Sequence, residues 1–84
     1  MIYIVAAKKL NVRGEPIKNA KRKIVLKIET DSIAIARFKL QKYIVEEGDY
    51  KHRYELLTGN WKTTTPMFEK SRLNPNGWRA VYEE

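Results

Sequence analysis

Residues 2–7 read Ile-Tyr-Ile-Val-Ala-Ala, with nothing strongly polar on either of the two alternating faces a strand presents. Few arrangements tolerate such a run. It falls far short of the about 20 apolar residues a membrane span needs. No basic segment precedes it as in a secretory leader, and Lys8 and Lys9 follow at once. What remains is a strand buried on both sides or central in a sheet.

The neighbours of that strand are marked by punctuation. Leu10 and Val12 extend the alternation, and Arg13-Gly14-Glu15-Pro16 breaks it as a turn does. Lys18 to Lys23 forms a basic loop with Ile17 as its one large apolar anchor. Ile24, Leu26 and Ile28 then alternate with Val25, Lys27 and Glu29, a strand with one buried face. These two strands are expected to form an antiparallel hairpin closed by the basic segment.

Thr30 or Asp31 is suited to cap a helix, because its side-chain oxygen can accept from an orphan amide of the first turn. The helix runs to about Glu47, and Gly48 is placed to end it. Ile33, Ala36, Leu40, Tyr43 and Ile44 share the face that packs on the sheet. A second stripe, Ile35, Phe38 and Val45, lies on the opposite side, interleaved with Lys39 and Lys42. One small sheet covers only one helix face. The stripe is therefore either covered by the segment 61–73 or left for a partner, a second copy of the chain included.

Tyr50 to Thr58 alternates as a third strand, and Gly59-Asn60 is a turn. Residues 61–73 fit a strand, a short helix capped by Thr65 before Pro66, or a lid. In Asn74-Pro75-Asn76-Gly77 proline presets one dihedral and glycine takes a positive one, and Trp78 to Tyr82 closes the sheet. The expected fold is α+β: a small antiparallel sheet of four to five strands with one main helix on one face. The 84 residues make a single domain, 1–84, with little room for a deep enclosing cleft.

Charge is distributed unevenly. Residues 1–28 carry Lys8, Lys9, Arg13, Lys18, Lys21, Arg22, Lys23 and Lys27 against Glu15 alone, which accounts for the whole net charge of +7. The rest of the chain balances to zero. A one-sided excess of this kind suits a polyanion. Lysines and arginines on a hairpin loop neutralise phosphates without reading sequence. Trp61, followed by Lys62 and three threonines, is placed to stack on an unpaired base if it does not pack as a lid.

Catalytic patterns are missing. His52 is the single histidine, Ser32 and Ser71 have no evident base, and the glycines are too scattered to cradle a phosphate. Glu46, Glu47 and Asp49 read as a solvated turn, and no spacing of histidines, cysteines or carboxylates suits a metal. A chain without catalytic machinery, metal or cofactor is expected. The lack of cysteine fits a reducing compartment, so a cytoplasmic location is expected.

Some local runs have a further likeness. Ala34-Ile35-Ala36-Arg37-Phe38 opens the helix with Ala, two residues, Arg and an aromatic, after a strand ending in basic residues, a loop and a second strand. Phe68-Glu69-Lys70-Ser71 with Leu73, and later Asn76-Gly77-Trp78-Arg79, continue the order. In these the chain resembles the first domain of the eukaryotic large-subunit ribosomal protein of the L-eighteen-a family. Lys39 and Leu40 stand where that family has aromatic residues. The resemblance implies a fold seated on ribosomal RNA.

The first expectation is thus a non-enzymatic nucleic-acid-binding module that uses Lys8, Lys9, Arg13, Lys18, Lys21, Arg22, Lys23 and Lys27 on phosphates, with Trp61 stacking. DNA and RNA are not distinguished. The rival is a small phage- or mobile-element-type protein that inhibits or adapts a host protein. It would meet an acidic protein surface through Ile35, Phe38 and Val45, rimmed by Lys39 and Lys42.

Overall fold

The doubly apolar run becomes β1 (Ile2–Lys9), and its position explains its composition. It pairs antiparallel with β2 (Lys23–Glu29) on one side and with β3 (His52–Thr58) on the other. Beyond β3 lie β4 (Met67–Lys70) and β5 (Trp78–Val81), so the order is β2-β1-β3-β4-β5 with every pairing antiparallel. One helix, α1 (Ile33–Glu47), links β2 to β3 and lies on one face of the sheet. This is the α+β arrangement the pattern implies. The computed structural model describes residues 1–74 and 76–82.

Both faces of β1 are covered, by different means. Tyr3, Val5 and Ala7 join Ile28, Tyr54, Leu56 and Phe68 beneath Ala36, Leu40 and Ile44 of α1. Each large side chain buried this way contributes about 1.5–3 kcal/mol. On the opposite face Ile4, Ala6 and Leu57 form a smaller cluster, and Met67 is buried as well. Among the described residues no helix covers that face, and the carboxylates near its middle, Glu55 and Glu69, are 7% and 8% exposed.

Several local expectations are corrected. Ser32, not Thr30 or Asp31, caps α1, its hydroxyl accepting from the Ile35 N–H at 3.3 Å. Thr30 is still held by the sheet, its N–H donating to Met1 O at 2.9 Å, while Asp31 binds the terminal ammonium at 3.1 Å. Gly48 ends the helix in extended geometry, φ −72° and ψ 160°. Glycine is required there for space, because a Cβ would lie 2.5 Å from Ile44 O.

A bulge at Val5/Ala6 splits the apolar side of β2: Leu26 and Ile28 stay under the helix, but Ile24 falls opposite Ala6 on the open face and is exposed. Val12 does not extend β1. Leu10 makes a lone bridge to Pro16, and Val12 is fully exposed on a turn where Gly14 takes φ 80°. Tyr50 and Lys51 sit in a turn, so β3 begins at His52.

Residues 61–73 contain a strand rather than a helix or a lid over α1. The Thr65–Pro66 peptide is cis, and β4 follows it beside β3. The helix and the segment touch where Arg37 Nη2 donates to Thr65 O at 3.0 Å. Ile35 and Phe38 remain uncovered, Phe38 at 65% exposure, while Val45 is half-buried. The turn after β4 closes with the Gly77 N–H donating to Asn74 O at 2.8 Å. Gly77 is not in the left-handed region, and Pro75 lies outside the described residues.

Candidate nucleic-acid interface

Antiparallel pairing decides which charges meet. Lys9 lies opposite His52 and Lys8 opposite Arg53, so the closed end of the β1–β2 hairpin shares one end of the sheet with the start of β3. Arg53 pairs in register with Glu69, and Glu69 with Arg79. Lys8, Arg53, Glu69 and Arg79 therefore form one row across four strands on the open face. Three cations and one carboxylate stand side by side.

That carboxylate is fully engaged. Glu69 Oε2 accepts from Arg53 Nε at 2.7 Å, and Oε1 accepts from Arg79 Nη2 at 3.0 Å and Nε at 3.2 Å. Glu55 is met from the other side: Arg22 Nε approaches its Oε2 to 2.8 Å, and Ala6 stands between the two strands, opposite Ile24 of β2 and Glu55 of β3. The approach is off the N–H axis, so Oε2 has an ion-pair neighbour but no aligned donor. Arg22 is therefore not a free loop charge.

The other cations of the hairpin are unengaged. Among the described residues, Lys8, Lys9, Arg13, Lys18, Lys21, Lys23 and Lys27 have no carboxylate within ion-pairing distance. All but the half-buried Lys8 are exposed. Lys8, Lys9, Arg13, Lys18, Lys21, Arg22 and Lys23 gather at the hairpin's closed end, while Lys27 lies further along β2, opposite Ile4.

Trp61 is not brought to this site. It follows the end of β3, where Gly59 adjoins Ile2, at the opposite end of the sheet. At about 3.3 Å per residue, β1 separates it from the basic loop by about 20 Å. It is 53% exposed with φ 63°. One aromatic at the basic end is Tyr50, with Lys70 Nζ 5.7 Å and the Arg72 guanidinium 5.3 Å from its ring centroid. Local pattern gave no reason to choose it. A tyrosine directly after Gly48-Asp49 and before Lys51 was the available signal.

The turn beside Tyr50 is tied together. Asp49 Oδ1 accepts from the Lys51 N–H at 2.9 Å and lies 2.8 Å from His52 Nδ1. Burial pushes the Asp49 carboxyl up, but the His52 and Lys51 hydrogen bonds and their charges outweigh it and hold it below its ordinary value. Tyr54, whose hydroxyl accepts from the Asp49 N–H, is raised by burial, with the Asp49 charge adding to it against that hydrogen bond. Burial, then Glu47 and Asp49, raises Tyr43.

Lys39 and Lys42 are exposed on α1 beside Ile35 and Phe38, on the side of the helix away from the sheet. They do not adjoin the hairpin row. No described helix is long and apolar enough to cross a membrane. No family model, curated protein or solved structure matches the chain.

Proposed function

We propose that this chain is a non-enzymatic nucleic-acid-binding module that grips phosphates with the closed end of its β1–β2 hairpin. One observation supports the reading: among the described residues, seven of the eight cations of the N-terminal hairpin have no carboxylate partner, Arg22 alone being paired. Phosphates would be the counterions of the rest. The likeness to an RNA-seated ribosomal domain points the same way, although DNA and RNA remain equal candidates.

The test is a polarisation titration of labelled oligonucleotides across a salt series. Affinity should fall linearly in log salt, with a slope of about −0.9 for each phosphate contacted on a duplex. The triple change Lys18→Ala, Lys21→Ala and Lys23→Ala should flatten that slope and weaken binding. The thermal midpoint should stay put, since exposed loop charges add little to stability. Wild-type binding by this variant would remove the loop from the interface.

A second reading rests on Phe38, whose exposure beside Ile35 leaves an apolar patch with Lys39 and Lys42 at its rim. On that reading the chain adapts or inhibits an acidic protein surface, or pairs with its own copy. Such a contact would change little over the same salt series.

A further inference from the structure

The basic end of the sheet contains a cleft of about 490 Å³ that the charge pattern alone did not reveal. Three stretches far apart in the chain build it: Arg13 from the β1–β2 loop, Tyr50 and His52 where the turn enters β3, and Lys70, Arg72 and Arg79 from the end of β4, the turn after it and β5. Its volume lies within the about 300–1,000 Å³ usual for small-ligand sites. Among the described residues its wall holds one carboxylate, Glu69, already neutralised by Arg53 and Arg79. Arg13 and Arg72 have no carboxylate partner among the described residues. The cleft is therefore positive, and two of its guanidinium groups are unclaimed.

Its other surfaces are flat or aliphatic. Tyr50 is 37% exposed, with Lys70 and Arg72 as the cations over its ring. Lys70 is tethered, donating through Nζ to Gly48 O at 3.3 Å. Arg72 is exposed and can turn from the ring to an anion, opening the part of the ring it covers. Val12 and Leu73, on two different loops, border the cleft and are almost wholly exposed. A ligand suited to these walls carries an anionic group and a flat apolar one.

We infer that this cleft seats one unpaired nucleotide of a single strand, its phosphate on Arg13 and Arg72 and its base against Tyr50. A base paired within a duplex cannot enter, because its faces are already stacked. The inference rests on the nucleic-acid reading and sharpens it: the hairpin loop would supply affinity for any phosphate backbone, and the cleft a preference for single strands.

The probes are a short labelled oligouridylate, an oligothymidylate and a duplex of equal length, each titrated at low salt against the full chain. Tyr50→Leu keeps the apolar volume and removes the aromatic face. It should weaken both single strands by about 10-fold, as stacking on one base is worth, and leave the duplex unchanged. Arg72→Ala, at an exposed position that leaves folding intact, should reproduce the loss of single-strand preference. Equal weakening of strands and duplex, or no weakening by either variant, overturns the cleft assignment while the hairpin reading stands. If the wild-type chain binds none of the three probes, the hairpin reading falls and the cleft assignment with it.

Discussion

The two faces of the sheet are covered by different chemistry. Beneath α1 the contacts are almost purely apolar, with Val5, Leu40, Ile44 and Leu56 fully excluded from water. On the other face a narrow apolar strip of Ile4, Ala6, Leu57 and Met67 is flanked by arginine–glutamate pairs that bury both carboxylates without any helix above. Burial under the helix needs matching shapes; burial under the arginines needs matching charges. The first makes a core. The second makes a surface row in which arginines are fixed by the carboxylates they bury. Apolar packing and ion pairing are thus divided between the faces.

Three substitutions probe that division, beginning with the largest effect. Leu40→Ala removes a wholly buried side chain from the helix side and should cost about 2–5 kcal/mol, enough to unfold a domain this small. A shift of only a few degrees in thermal midpoint would mean that the helix face is not the main core. Glu69→Gln removes the charge shared by two arginines on the open face. The expected loss is about 2–3 kcal/mol, below the usual value for a buried pair because Arg79 is largely solvated. Chemical denaturation reads it, and wild-type stability would show that the open face is held by apolar contacts alone.

The smallest effect belongs to the turn where the two faces meet. A carboxyl whose folded value lies below its unfolded one stabilises the fold above the unfolded value, and that contribution fades as pH drops through the lower folded value. Asp49 is such a group. Asp49→Asn should therefore be less stable than wild type near neutrality, by under about 1 kcal/mol given its exposure, and the gap should close below the ordinary carboxylate range. A gap that persists into strong acid would trace the loss to geometry rather than charge.

The elements were legible because alternation and helical period are local: the doubly apolar Ile2–Ala7, the Ile33-Ala36-Leu40-Ile44 face and the glycine at 48 each declare themselves within a few residues. The site was half legible. Counting charge along the chain isolates the hairpin cations, yet it treats the second half as neutral, because Arg53, Lys70, Arg72 and Arg79 are cancelled by acids elsewhere. Register decides otherwise, setting Arg53 beside Lys8 and Arg79 further along the same row, with Glu69 spent between the two arginines. The misplacement of Trp61 has the same origin. An exposed aromatic can be guessed from neighbours, but which end of a sheet it occupies depends on pairings dozens of residues away. Bulges also escape local pattern, and the one at Val5/Ala6 turned Ile24 outward.

The interior position of β1 has a kinetic consequence. Its hairpin partner β2 follows after one loop, but its other partner comes only after the helix: Tyr3 waits for Thr58 and Lys9 for His52. Until that long loop closes, the most apolar strand of the chain has one unsatisfied edge and a face without its cover. Non-local pairing of this kind slows folding and lengthens the life of aggregation-prone intermediates. The like charges of the lysines that crowd the end of this strand oppose such contacts, keeping half-built hairpins from one another until β3 arrives.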